Sequence, residues 1–538
     1  QARASHRGSG EAPATELPGW RGQAEKHFSI DTSRSALIGF QMSGPSTNAS
    51  QRMIRALHGC RLERYADCAE ACMLALLMSK YAAEEYLCSE AVGMKLGHAM
   101  KFIEMIWTPM LISTRQTALS IINVHLSSGI SLLGFGMTMP ACASSTQTMV
   151  HCLVTGYDTV NIVPIERWLP ATVCQNMAPY VEREHVQHAG LMKQPEMFDR
   201  LGFRISAAEA IAMDPQQRLI LESSYQACHA SSWRRSPGFP TSTGVAVGIY
   251  STDFLQMIGN TPIESSVYAS TGASFSVACG RVSFVLNLQG PCLSIDTACS
   301  AALVASHSAF RALLHEECAN HISAGINVML LPSGGIVMSN AGMTSRLGRC
   351  HTFDRRADGF ARGEASVAAV LNVMNVENMV LQNIGVRQDG RSAALTAPNG
   401  VAQQSLLRAV HAHTEEPGDA AYEAHGTGTA LGDPIEISSL ASFTRKRHTL
   451  GAAKANVGHS EACAGIVGLL RAACEFYGVI TGPNAQLQVL NPSLTKYISS
   501  TDLKLNVQIT HRLRVQHRCS SVSSFGYSGT IAHAVLSW

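Results

Sequence analysis

The chain contains no run of the roughly 18 consecutive apolar residues that a membrane-spanning helix requires. Ile103–Ile112 is too short and carries Glu104 and Pro109, so no membrane span is expected. Charge is scarce, at 15% of residues, and 41 Lys and Arg against 39 Asp and Glu leave a net charge of +2. With no long basic run, nothing in this balance favours nucleic acid as a partner. The 16 cysteines include no C-x-x-C pair and form no regular framework, which points to reduced, intracellular thiols. Cys60, Cys68, Cys72 and Cys88 crowd together, but no C-x-x-C or H-x-x-x-H partner completes a metal constellation, and no metal is expected. Gly134 and Gly136 make half of a dinucleotide loop whose third glycine is missing. An initiating Met is also missing; the sequence is expected to be a fragment or a processed product, located in the cytoplasm or a plastid.

What is present is enough to bury a large core: 46% of the 538 residues are hydrophobic, as in an ordinary soluble enzyme. Residues 1–50 are rich in Gly, Ser, Arg and Pro without periodicity and are expected to be a flexible leader. Ile54, Leu57, Leu62, Tyr65, Ala69, Cys72, Leu76 and Leu77 recur at helical spacing, predicting a helical extension over 51–128. Such an extension could be a hairpin packed on the main domain or a docking or dimerisation element. From Ile130 onward, short apolar runs (Ile130–Gly136, Gly244–Ile249, Leu293–Thr297, Val367–Leu371, Ala420–Ala424) alternate with helical stretches such as Asp214–Ala227 and Ser405–Ala412. That alternation predicts a layered α/β fold.

Cys299 sits where one such run gives way to small residues and then to a helical pattern, with Leu303, Val304, His307, Phe310 and Leu314 on one face. This places a thiol at a strand-to-helix turn, at the positive end of a helix dipole, where the reactive thiolate is expected to be favoured. His425 opens a Gly- and Thr-rich loop, His425-Gly426-Thr427-Gly428-Thr429, too irregular for a helix interior. His459 lies in Gly458-His459-Ser460-Glu461-Ala462, ahead of a helix expected to run through Ile466, Leu469 and Leu470, and Lys454 precedes it. Together these residues propose a Cys-His-His cluster for nucleophilic catalysis.

On these motifs the chain resembles the β-ketoacyl synthase (ketosynthase) domain of type I polyketide and fatty acid synthases. Further matching segments are Val163–Trp168, Met213–Arg218, Asp296–Ser300, Asp358–Glu364 and Ser523–Thr530, in family order over about Gly129 to Trp538, some three quarters of the chain. The resemblance implies a thiolase-like, five-layered αβαβα fold of two similar halves, 129–378 and 379–538, and a homodimer paired along Asn287–Pro291 and the strand after it. It also implies that Cys299 accepts an acyl group from the phosphopantetheine arm of an acyl carrier protein, with no cofactor bound. His425 and His459, supported by Lys454, would then handle decarboxylation of a malonyl-type extender. Backbone N–H groups of Cys299 and of the Phe525-Gly526-Tyr527 loop would receive the acyl oxygen. Thr427 and Thr429, with that loop, would line the entry for the arm.

Several positions depart from the family pattern. Ile531 replaces an Asn, Tyr527 replaces a Phe, Arg387 stands where an Asn is usual, and the segments Val370–Val386 and Ser442–Lys454 are short. Two rival readings follow other features. Gly458–Ala462 imitates a serine-hydrolase elbow with Ser460 as nucleophile and His511, His517 or His533 as base. A ketosynthase-like scaffold that binds carriers with weak or no chemistry is the other, because function follows the site and not the fold.

Overall fold

Short runs of Val, Ile and Ala flanked by Gly and Pro become strands in the computed structural model. It describes residues 129–140, 144–168, 183–233, 238–373, 379–412, 414, 420–444, 446–478, 482–505 and 519–538. The chain divides into two units, Gln1–Leu119 and Ser120–Trp538, and every described residue belongs to the second. The leader at 1–50, the helical extension at 51–128 and the Cys60, Cys68, Cys72 and Cys88 group lie outside the described residues.

The strands are β1 (Ile130–Thr138), β2 (Asn161–Ile162), β3 (His188–Gly190), β4 (Thr243–Gly248), β5 (Cys292–Ile295), β6 (Asn320–Asn327), β7 (Arg362–Gly363) and β8 (Ala365–Asn372). They continue as β9 (Val380–Gln388), β10 (Ala420–Glu423), β11 (His448–Gly451), β12 (Leu503–Leu505), β13 (Cys519–Phe525) and β14 (Thr530–Ser537). Eleven of them pair in the order β12-β11-β10-β13-β14-β9-β1-β8-β6-β4-β5, and β2, β3 and β7 form a small separate sheet. The order contains a repeat. In the first half β5, β4 and β6 run parallel and β8 and β1 follow antiparallel. In the second half β11, β10 and β13 run parallel and β14 and β9 follow antiparallel. Antiparallel pairing of β1 with β9 joins the two.

Alternation along the strands then builds the layers, because successive side chains point to opposite faces. On β8, Ala365, Val367, Ala369 and Leu371 belong to the central core, whereas Ala368 and Val370 pack outward with the helices Pro215–Ala230 and Phe275–Leu286. On β14, Ala532, Ala534 and Leu536 face the same central core, whereas Ile531 and Val535 face the helix Gly400–His411. The central core is filled by two helices, Ala301–Leu314 and Ala464–Gly478, giving the sequence helix, sheet, helix, sheet, helix. This is the five-layered thiolase-like arrangement.

Three local expectations change in three dimensions. Instead of burying one stripe, the helix Ala301–Leu314 buries Ala301, Ala302, Ala305, Ala309 and Ala312 as well as Leu303 and Phe310, because it has a sheet on each side. The helix expected directly after His459 starts only at Ala464; Glu461 takes a left-handed backbone (φ 48°) within a short 3-10 turn before it. Gly134 and Gly136 lie inside β1, where a Cβ on Gly136 would stand 2.0 Å from the Ser223 carbonyl oxygen. They let a helix approach a strand and do not form a phosphate loop. The short Ser442–Lys454 segment removes no layer, since β11 still pairs with β10 and β12.

The contact between the central helices is set by Gly465, where an added Cβ would lie 2.6 Å from the Leu303 Cβ. Gly465→Ala is expected to destabilise the protein by about 1–3 kcal/mol through overpacking, read as a lower denaturant midpoint; an unchanged midpoint would contradict this close approach.

Candidate active site

Each proposed functional residue follows the C-terminal end of a parallel strand: Cys299 after β5, His425 after β10, Lys454 and His459 after β11, and Phe525–Tyr527 at the end of β13. Parallel α/β sheets leave their ligand crevices at such ends. Cys299, His425, His459, Thr427, Thr429, Phe525, Gly526 and Tyr527 all line one cavity of about 290 Å³. Lys454 is buried beside this cavity and is not part of its lining.

The nucleophile turn is held by its own short polar residues. The Asp296 carboxylate accepts the Ala298 N–H at 2.9 Å, Ser300 Oγ donates to the Thr297 carbonyl at 2.9 Å, and Ser524 Oγ donates to the Cys299 carbonyl at 2.7 Å. Ala298 takes a left-handed backbone, φ 55°, so the residue before the nucleophile carries strain that its neighbours must support. Gly526 closes over this turn, and a Cβ there would stand 2.4 Å from the Thr297 carbonyl oxygen. The backbone N–H groups of Tyr527 and of Cys299 itself favour the charged form of the thiol. Burial pushes this thiol up to about 12, helped by the Glu461 charge and opposed by Lys454 and the two N–H groups. The expected resting thiolate is therefore corrected: desolvation outweighs the helix end, and the thiol is protonated at neutral pH.

The two imidazoles are held alike. His425 Nδ1 accepts the Phe525 N–H at 3.2 Å, and His459 Nδ1 accepts the Glu461 N–H at 3.1 Å. Burial and then the Lys454 charge push both well below the ordinary histidine range. A neutral ring with Nδ1 accepting must carry its proton on Nε2. The ring centroids are 5.6 Å apart at an interplanar angle of 86°, so two neutral N–H donors face one cavity. Below them, the Glu436 carboxylate accepts the N–H groups of His425 (2.8 Å) and Gly426 (2.9 Å), which fixes the loop.

Lys454 carries the cationic support. Burial lowers its pKa, while the nearby Glu423 and Glu436 favour its charged form. Glu423 also accepts the Ala453 N–H at 2.7 Å and pairs with the buried Arg471 at 3.0 Å, which in turn holds Glu475. Glu461, within the quoted His459 motif, went unassigned by sequence reasoning. It is paired with the buried Arg362, accepts the Tyr250 hydroxyl and lines the cavity. Its left-handed turn and its partners from distant segments leave no periodic signal.

Of the departures from the family pattern, Tyr527 lines the cavity, whereas Ile531 and Arg387 fall outside the reacting groups. Ile531 packs with Leu406, Val410 and Val535 on the outer face of β14, and the adjacent turn is closed by backbone bonds, Gly526 N–H to the Thr530 carbonyl and Gly529 N–H to the Gly526 carbonyl, both 2.8 Å. Arg387 pairs with Ile531 in the ladder between β9 and β14. The Ser460 reading lacks its frame: Ser460 is buried after the short helix Lys454–Val457, and no strand leads directly into it. His533 has both ring nitrogens engaged elsewhere, while His511 and His517 lie outside the described residues. Among the described residues no group of three or more His, Cys, Asp or Glu could hold a metal, and no helix is long and apolar enough to cross a membrane.

A doubled α/β fold with Cys, His and His at its strand ends defines a thiolase-like condensing-enzyme architecture. The domain families of β-ketoacyl synthase match directly, the N-terminal domain over residues 127–375 and the C-terminal domain over 379–487. The chain belongs to the β-ketoacyl synthase family, as a ketosynthase domain of the type I polyketide synthase kind. It is 34% identical over 445 residues to a phenolphthiocerol/phthiocerol polyketide synthase of Mycobacterium tuberculosis, covering 78% of this chain and 20% of that protein. A fungal highly reducing polyketide synthase is 32% identical, with 76% and 16% covered. The chain thus spans a fifth or less of these two relatives. Among solved structures, a ketosynthase from module 6 of the bacillaene synthase of Bacillus subtilis superposes with a TM-score of 0.69 at 30% identity, covering 76% of this chain and 72% of that one. An oxazolomycin ketosynthase domain of Streptomyces albus gives 0.69 at 27% identity, covering 76% and 75%.

A protonated Cys299 makes a direct prediction. Its alkylation by iodoacetamide should rise about tenfold per pH unit from about pH 7 to about pH 9, following the thiolate fraction. A rate that levels off near neutrality, read by peptide mass spectrometry, would contradict the buried, protonated thiol.

Proposed function

We propose that this domain catalyses decarboxylative Claisen condensation between an acyl group held on Cys299 and a malonyl-type extender carried on an acyl carrier protein. One observation carries the reading: a buried thiol flanked by two N–H groups shares a cavity with two neutral imidazoles whose Nε2–H groups are free to donate. In the first half-reaction the Cys299 sulfur attacks the carrier thioester, and its proton leaves with the departing pantetheine thiol. The N–H groups of Cys299 and Tyr527 receive the tetrahedral oxyanion. In the second, Nε2–H of His425 and of His459 donate to the thioester carbonyl of the extender as its carboxylate carbon leaves as carbon dioxide. The enolate carbon then attacks the Cys299 thioester and expels the sulfur as a thiolate, which takes a proton from solvent to restore the thiol, leaving a carrier-bound β-ketoacyl chain two carbons longer. Lys454 stabilises the negative charge that passes through the site.

Thr427, Thr429, Phe525, Gly526 and Tyr527 line the way in and are assigned to the phosphopantetheine arm, a substrate carrier and not a bound cofactor. The catalytic module comprises the halves 129–378 and 379–538, and it works as a homodimer. Support for the dimer comes from the sheet edge at β5, where Cys292 and Leu293 are exposed, and from Phe284, 85% exposed on the preceding helix.

The test is an assay of purified protein with acyl-carrier and malonyl-carrier. A Cys299→Ala variant should take up no acyl group. His425→Ala and His459→Ala should still be acylated while carbon dioxide release falls by about 10²–10⁴. Equal acyl uptake by Cys299→Ala would remove the nucleophile assignment, and neither product nor acyl adduct in the parent would favour the scaffold reading.

A further inference from the structure

Behind the His425 loop, a second set of polar side chains is buried where apolar residues would pack at lower cost. Tyr422 on β10, Ser523 on β13 and His533 on β14 are all nearly inaccessible, and each lies on the outer face of the second half of the large sheet. They form an unbroken chain. His411, on the helix Gly400–His411, meets His533 Nε2 to Nε2 at 3.0 Å; His533 Nδ1 meets Ser523 Oγ at 2.9 Å; Ser523 Oγ meets the Tyr422 hydroxyl at 2.7 Å; and that hydroxyl donates to Glu436 Oε1 at 3.2 Å. Glu436 is the carboxylate that holds the His425 and Gly426 N–H groups.

The direction of every bond follows from the last one. Each hydroxyl has a single proton. The Tyr422 proton is spent on Glu436, so Ser523 must donate to Tyr422. The Ser523 proton is then spent, so His533 must donate from Nδ1. Burial, with His411 and His448 nearby, keeps His533 neutral, so its Nε2 accepts and His411 supplies Nε2–H. All the protons point from the outer helix toward the active-site loop. Adjacent residues of β13 thus serve the site from opposite faces, Ser523 in this chain and Ser524 on the Cys299 carbonyl.

We propose that His411, His533, Ser523 and Tyr422 form a one-way hydrogen-bond relay that holds Glu436, and through it His425, in register for the decarboxylation half-reaction. These are positioning residues, since none of them lines the cavity. The proposal rests on the reading of His425 as the decarboxylation donor. Polar chains of this kind polarise one another and specify a single arrangement when every member is satisfied.

The relay is tested first in the parent protein by ¹⁵N NMR of histidine side chains, with His533 assigned from its loss in His533→Asn. His533 should carry its proton on Nδ1, the less common tautomer of neutral histidine; a proton on Nε2 would overturn the relay whatever the activity. Kinetics give the second arm. Tyr422→Phe should release carbon dioxide from malonyl-carrier about tenfold or more slowly, with KM for malonyl-carrier and acylation of Cys299 both unchanged. His533→Asn, whose amide can donate from the place of Nδ1, should retain most of the rate that His533→Leu loses. Parental decarboxylation in Tyr422→Phe alongside a disabled His425→Ala would refute the relay alone, whereas parental decarboxylation in His425→Ala would refute the reading beneath it.

Discussion

The close contact of the two central helices sets the geometry on which the site depends. One begins just beyond Cys299 and the other just beyond the His459 turn, and Gly465 lets its helix close against Leu303 with no room for a Cβ of its own. Because each half repeats the same strand order, this contact brings equivalent strand ends to one place. The nucleophile comes from the first half, and both imidazoles and the lysine come from the second. Gly526 applies the same device once more, folding the end of β13 over the Cys299 turn with no room for a Cβ.

Burial at that meeting point then sets the protonation states. Cys299, His459 and Lys454 are buried and His425 is half-buried, and desolvation is the largest influence on each of the thiol, the two imidazoles and the ammonium group. The thiol stays protonated and the imidazoles stay neutral, while Glu423 and Glu436 favour the charge on Lys454. An anion developing between these groups meets neutral donors backed by one buried cation. That pattern suits an enolate better than a permanent positive charge on the rings would, since donors already in place need no reorganisation as the charge forms. Arg362 paired with Glu461, and Arg471 between Glu423 and Glu475, compensate the buried carboxylates around the site.

Much of this was legible in the sequence. The strand-to-helix step at Cys299, the Gly- and Thr-rich loop at His425 and the alternation of apolar runs with helices are local patterns, and local patterns survive into the fold. The protonation of Cys299 was not legible, because a helix end is visible in one dimension and desolvation is not. The left-handed turn at Glu461 and its links to Arg362 and Tyr250 join three distant segments, and no spacing announces them. The two similar halves came from the family resemblance and not from spacing, for a similar reason: the repeat lives in the pairing of β5, β4, β6, β8 and β1 against β11, β10, β13, β14 and β9, and not in any repeated string of residues. His533, weighed only as a partner for Ser460, is engaged with Ser523 and His411.

The central claim is that His425 and His459 act as neutral donors, and the pH dependence of malonyl-carrier decarboxylation tests it most directly. With both imidazoles held well below their ordinary range, neither gains a proton between about pH 8 and about pH 6. The decarboxylation rate, measured with the carrier saturating, should stay flat across that window. An inflection near about pH 6.5, the ordinary histidine value, would mean that at least one ring titrates freely and would contradict the account.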